Sequence, residues 1–240
     1  MICLATEKEV YVRDLFSRIA RRYDLMNTLL SFGLDKYWRQ VAVKKAALQP
    51  GDAVLDVCCG TGMLSLALAR AVFPRGRVVG LDFCPAMLEV AKNHLARSPY
   101  GNLVELVEGN AVALPFPDNS FDAATIAFAL RNVPHIEKTL REMTRVVRPG
   151  GRVVSLELAK PSWPAFKQLY YFYFNRLVPV LGRLGVGLKD PYSYLPRSLK
   201  DFPHQREILV LFEAIGLEGA ECTELTGGIV AVHVGIKGKE

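Results

Sequence analysis

No stretch of this 240-residue chain is an unbroken apolar run of the roughly 20 residues that a bilayer crossing takes. The opening "MICLATEKEV" has no apolar core behind a basic start, so no secretory leader is expected. Cysteine is sparse. Cys3, Cys58, Cys59, Cys84 and Cys222 form no paired metal spacing, and on a strand Cys58 and Cys59 would point to opposite faces. The expectation is a reduced, cytoplasmic protein without zinc or any other structural metal. There are four histidines, His94, His135, His204 and His233, and a lone histidine is more often structural or solvated than catalytic, so none receives a role. Repeats and low-complexity tracts are absent. Lys and Arg exceed Asp and Glu by 30 to 24, for a net charge of +6. That excess permits an anionic membrane surface, but no basic run interleaved with aromatics offers a nucleic-acid footprint.

What is present is a full core. Half the chain is hydrophobic and 22% is charged, enough for one large α/β domain over residues 1–240. Residues 8–48 place Val12, Leu15, Phe16, Ile19 and Tyr23 at helical spacing, pause at "NTLLSFGLD" and resume, which predicts two or three helices acting as an N-terminal lid. From Ala53 the rhythm is βαβα. Strands are predicted at 53–57, 77–82, 104–108, 123–128 and 152–158, and helices at 63–70, 85–96 and 136–147. Two more strands, 217–225 and 228–236, follow a helical insertion at 160–205. Such alternation predicts a mostly parallel sheet, covered on both faces.

The segment "VLDVCCGTGMLSLALAR", residues 54–70, reads as strand, tight turn and helix N-terminus, the outline of a nucleotide cradle. Gly60 and Gly62 are in place, but Ser65 stands where a dinucleotide fingerprint wants its third glycine. Asp56 at the strand end would repel a pyrophosphate and suits the amino group and sulfonium of S-adenosylmethionine (SAM). A nicotinamide or flavin oxidoreductase is thereby disfavoured. Asp82, twenty residues beyond Gly62, can accept both ribose hydroxyls, and Asn110, just past the third strand, suits the adenine edge.

The segments "RYDLMNTLLSFG", "GLDFCPAMLEVA", "NAVALPFPDNSFDAATIAFALRNV", "REMTRVVRPGGRVVSLELAKP" and "TGGIVAVHVGIK" resemble the ubiquinone/menaquinone biosynthesis C-methyltransferases, the UbiE/MenG family, over nearly the whole chain. The resemblance implies a Rossmann-like class I SAM methyltransferase with a seven-stranded sheet. It implies SAM held by Asp56, Gly60, Thr61, Gly62, Asp82, Asn110, Ala111 and Ala127, with Tyr23, Asn27, Tyr192 and Tyr194 towards the substrate. "DVCCGTG" is more similar to the menaquinone branch, whose reaction is C-methylation of a prenylated demethylmenaquinol. A benzoquinol of ubiquinone biosynthesis, or another small molecule methylated on oxygen or nitrogen, remains the alternative. The chain departs from the family pattern at three places: Asp35 stands where a histidine is common, Ala159 where a serine is, and Ala127 where the ubiquinone branch tends to have serine.

Methyl transfer to carbon needs an electron-rich ring, hence a quinol, deprotonated at one hydroxyl. A buried guanidinium favours that phenolate by charge while staying too weak an acid to serve as its base. Arg131, just past the fourth strand, is the candidate, with Asn132 orienting and Asp24 as proton acceptor. The competing reading is that Arg131 only pairs with an acid. "FKQLYYFYFNRLVPVLGRLGVGL" offers an apolar slot for a prenyl tail, and Arg176 and Arg183 could meet lipid headgroups, giving transient contact with the inner face of the membrane. A homodimer is left open.

Overall fold

The computed structural model describes residues 7–161, 163–178 and 190–239. Seven strands, β1 (Ala53–Val57), β2 (Arg77–Asp82), β3 (Val104–Glu108), β4 (Phe121–Ala127), β5 (Val147–Leu158), β6 (Leu217–Leu225) and β7 (Val230–Lys237), form one sheet in the order β3-β2-β1-β4-β5-β7-β6. β1 to β5 are parallel, and β7 runs antiparallel to both β5 and β6. Central β1 is buried at every position, so its sequence is a continuous apolar run broken only by Asp56; edge strand β3 is half buried and mixes in glutamates.

β5 begins five residues before its expected start. Val147 pairs with Phe121, the register shifts, and Arg152 then pairs with Ala123. The intervening Arg-Pro-Gly-Gly, which reads as a turn, is an irregularity inside the strand. Gly151 is required there, because a Cβ would lie 2.5 Å from the carbonyl oxygen of Asp122.

Helices α3 (Leu34–Ala46) and α4 (Met63–Val72) cover one face through Trp38, Ala42, Leu64 and Leu68. On the other face α6 (Ile136–Val146) and a late helix, Gln205–Ala214, contribute Leu140, Met143, Ile208 and Phe212. Each such fully buried side chain is worth about 1.5–3 kcal/mol. α5 (Pro85–Ala96) opens with proline in its first turn and packs Met87 against Phe16 and Ala20.

The N-terminal arm is α1 (Glu7–Ile19), a 3₁₀ turn (Ala20–Arg22) and α2 (Tyr23–Leu30). The insertion supplies α7 (Pro164–Phe172), a π turn (Tyr173–Leu177) and α8 (Asp190–Asp201), making Gln205–Ala214 α9. Arm and insertion form a common roof above the carboxyl ends of the parallel strands: Met26 packs with Tyr170, Phe174, Val178 and Leu199, and the Tyr173 hydroxyl donates to the Leu30 carbonyl at 2.9 Å. Cys3 and Arg183 lie outside the described residues.

Candidate active site

After β1 the chain turns through Cys58, Gly60 and Gly62, all at positive φ, into α4. Gly60 borders two adjoining spaces, and a Cβ there would meet nothing within 4 Å, so its backbone lies open to a ligand. Cys58 and Cys59 fall in this turn and not on the strand; burial pushes both thiols up, which leaves them inert. Ser65 fills the expected third-glycine position because its Oγ donates to Asp56 Oδ2 at 2.6 Å, while Thr125 Oγ1 donates to Asp56 Oδ1 at 3.0 Å. Burial nevertheless pushes Asp56 up to about 6.

Asp82 closes β2. Its Oδ2 accepts the Gly60 N–H and its Oδ1 the Cys84 N–H, both at 2.9 Å, and burial raises it to about 6 against those bonds. Each oxygen retains a lone pair for a further donor. Gly60, Asp82, Asn110, Ala111 and Ala127 border one cleft, into which α1 sends Val12 and Phe16. Asn110 Oδ1 accepts the Val112 N–H, and its Nδ2 donates to Glu9 of α1 at 2.8 Å. Asp56, Thr61 and Ala127 border a smaller space alongside, and Gly62 lines neither but seats α4 on Ala91. Open glycine backbone, a doubly accepting carboxylate at a strand end and a second buried acid form a donor set that fits an adenosyl amino acid.

A separate cavity of about 500 Å³ lies beneath the roof, walled by Trp38, Phe128, Leu158, Phe172 and Phe174. Tyr23 and Phe128 border both it and the cleft. Arg131 reaches this cavity although only 8% exposed. Its Nη1 donates to Glu157 Oε1 at 2.5 Å and to the Phe128 carbonyl at 2.7 Å, and the carboxylate of Glu157 also accepts the N–H groups of Arg131 and Leu158. Burial pulls the guanidinium down, but Glu157 with Tyr23 and Tyr194 together oppose it and the net shift is upward. Nε of Arg131 is buried with no partner among the described residues. Arg131 thus pairs with an acid, as the competing reading had it, and also faces the cavity.

The remaining sequence candidates separate. Tyr23 and Asn27 line the apolar cavity, and burial raises the Tyr23 phenol while Arg131 opposes it. Asn132 borders the glycine-side cleft, and its Oδ1 accepts the Tyr194 hydroxyl at 3.1 Å. Tyr192 is on α8, its side chain outside those described. Asp24 is at the glycine turn: its Oδ1 accepts the Thr61 hydroxyl at 2.8 Å, and His94 Nδ1 lies 3.8 Å from Oδ2. It does not border the apolar cavity. The carboxylate that does is Asp35, bonded to Ser31 Oγ and paired with Arg39 at 2.5 Å. Sequence reasoning passed over Arg39; the available signal was that Asp35 and Arg39 share the buried stripe of α3 with Trp38, Ala42 and Ala46.

Three histidines have structural placements. His204 caps α9 in a capping box with Glu207, His233 Nε2 lies 2.8 Å from the Gln205 carbonyl oxygen, and His94 Nδ1 lies 3.0 Å from that of Thr61. His135 is exposed ahead of α6. Among the described residues, no helix is long and apolar enough to cross a membrane.

Comparison with known proteins gives a consistent result. Residues 4–237 match the model of the ubiE/COQ5 methyltransferase family. The chain is 50% identical to a demethylmenaquinone methyltransferase of Desulfitobacterium hafniense (strain Y51) over 231 residues, 96% of this chain and 91% of that protein. It is 44% identical to the demethylmenaquinone methyltransferase of Shouchella clausii (strain KSM-K16), covering 98% of this chain and 99% of that one. Among solved structures, a SAM-dependent methyltransferase of Thermotoga maritima, described as a possible histamine N-methyltransferase, superposes with a TM-score of 0.64 at 19% identity, covering 95% of this chain and 99% of that chain, a likeness of fold alone.

Proposed function

The chain belongs to the ubiE/COQ5 methyltransferase family, and from that premise we propose that it transfers a methyl group from SAM to a ring carbon of a prenylated demethylmenaquinol, giving menaquinol. The observation that carries this reading is the apolar cavity of about 500 Å³ with a buried guanidinium, Arg131, on its wall and two side chains, Tyr23 and Phe128, dividing it from the cleft. A naphthoquinol with an isoprenoid tail asks for such a space: apolar walls for ring and tail, one cation for a developing phenolate. The demethylmenaquinone substrate of the two relatives favours the naphthoquinol over a benzoquinol.

Bound in the cleft, SAM supplies an electrophilic methyl group. The residues that would hold it are Asp82 at the ribose, Asn110 and Ala111 at the adenine, Gly60 and Ala127 along the backbone, and Asp56 and Thr61 at the methionine end. The chain's own work is positioning and charge. Arg131 stabilises the phenolate, whose charge spreads to the ortho carbon. Glu157 fixes the plane of the guanidinium, which still borders the cavity. Asn132, held by Tyr194, orients the backbone beside it. Tyr23 and Asn27 close over the ring from α2, and Asp24 clamps that helix to Thr61. Apolar walls exclude water, and a near-attack geometry supplies much of the acceleration.

The tail needs an exit, and the roof has one of suitable character. Phe32 and Phe172 border the cavity while 80% and 60% exposed, with Leu25 and Leu29 exposed on α2 and Arg21, Lys36 and Arg176 exposed on neighbouring turns and helices. We read this as a transient contact with the inner, anionic face of the membrane. The experiment is a reaction of the purified chain with SAM and demethylmenaquinol held in anionic vesicles, followed by mass spectrometry and sedimentation. Menaquinol and S-adenosylhomocysteine in equal amounts are expected, with the protein sedimenting alongside the vesicles. Absence of product overturns the substrate; turnover without sedimentation overturns the membrane contact.

A further inference from the structure

Arg39 is 8% exposed, yet the protein uses one of its three nitrogens. Nη1 donates to the carboxylate of Asp35 at 2.5 Å and to its carbonyl at 3.2 Å, while Nε and Nη2 make no hydrogen bond to a described residue. The Phe128 ring centroid lies 5.4 Å from Cζ and helps fix the plane of the fork. The side chain borders the apolar cavity and also a small cavity of about 30 Å³ whose other walls include Asp56, the turn from Cys58 to Thr61, Met63 and Leu64 of α4, and Phe128.

α4 is a ten-residue helix with no side-chain cap and no acidic residue in its first turn. Its first free amide groups therefore point outward with the positive end of the helix dipole. An uncapped helix start and a half-used buried guanidinium on one cavity form an anion site, and Asp56 on the same cavity supplies the opposite charge. A lone phosphate would satisfy the first pair and be repelled by Asp56. A zwitterionic amino-acid head group satisfies both.

We propose that Arg39, together with the start of α4, binds the α-carboxylate of the methionine portion of the donor and so selects adenosyl ligands that carry one. The inference rests on the cleft being a SAM site and deepens it. Because Nη1 of the same guanidinium is tied to Asp35 on the substrate cavity, Arg39 also ties the seat of the donor to the wall of the acceptor cavity.

The test is binding, read by calorimetry with two probes: S-adenosylhomocysteine, and its decarboxylated analogue, in which the amino-acid end is an aminopropyl group. Wild type is expected to prefer the carboxylate-bearing probe by about ten- to a hundredfold, the range of one charge-assisted bond. Removing Arg39 alone would leave Asp35 buried and unpaired, which destabilises folds in its own right. The variant is therefore the neutral pair Asp35→Asn with Arg39→Gln. Its preference should collapse to within about threefold, with affinity for the decarboxylated probe unchanged. A retained wild-type preference, or an equal loss for both probes, overturns the proposal and leaves Arg39 as the partner of Asp35 alone. Failure of wild type to bind either probe overturns the SAM reading itself, and the proposal with it.

Discussion

Asp82 shows how a single carboxylate can be both strained by its setting and useful in it. Burial lifts it from an ordinary 3.8 to about 6, even though two backbone N–H groups bond to it. In the proposed role ribose hydroxyls would bond to the ionised form, so ligand binding would pull the pKa down and release a proton near pH 6. Affinity for S-adenosylhomocysteine should accordingly weaken as the pH falls from 7 to 5. Calorimetry in buffers of different ionisation heat checks both effects. In the free protein the sign is opposite: the folded pKa lies above the unfolded one, so this group's stabilising contribution is full below about pH 4 and is lost as pH rises through about 6. Asp82→Ala removes two acceptors, each worth about 1.5–3 kcal/mol, and should weaken binding at least tenfold. Unchanged affinity would remove the ribose role. The spacing of Asp56, Gly60, Gly62 and Asp82 made these residues legible in the sequence, because strand, turn and helix fix their relation locally. Glu157 was not legible, since its pairing with Arg131 comes from tertiary packing that no spacing records, whereas Arg39 stands four residues after Asp35 on α3, a local i,i+4 spacing that was passed over.

At the scale of elements the site is where β4 and β5 end side by side under the roof. Phe128, one residue beyond β4, takes positive φ, and the turn that follows brings Arg131 back against Glu157 of β5. A planar fork bonds Glu157 and the Phe128 carbonyl through Nη1 while the side chain still borders the cavity; an ammonium offers no such division. Arg131→Lys should therefore retain affinity for S-adenosylhomocysteine while turnover falls on the order of 10- to 100-fold. Wild-type turnover in that variant would make the residue structural. The buried central strands matched their apolar runs within a residue or two, and α4 and α5 began where glycine and proline placed them. The strand predicted at 152–158 is present, but its earlier start at Val147 was missed because Pro149, Gly150 and Gly151 signal a turn, whereas the neighbouring strand accommodates them as an irregularity. The run Tyr170 to Phe174 carries no period that separates α7 from the π turn after it, because nearly every position is aromatic.

Across the whole molecule two spaces meet at Tyr23 and Phe128: a cleft on the glycine turn that carries Asp82, Asn110 and Asn132 among apolar walls, and an apolar cavity made by arm and insertion. The sheet alone accommodates many chemistries. Under the proposed function, choice of acceptor belongs to the roof, where Met26, Tyr170 and Phe174 lock α2 to the insertion and Phe32 and Phe172 edge towards solvent. In the proposed reaction this arrangement methylates carbon on an electron-rich, reduced ring. The most direct measurement offers one prenylated demethylnaphthoquinone, anaerobically and with methyl-labelled SAM, in its reduced and its oxidised form to the same enzyme. Label on a ring carbon, resistant to mild hydrolysis, is expected from the quinol alone. Equal transfer to the oxidised quinone, or label recovered on oxygen, would contradict the proposed reaction.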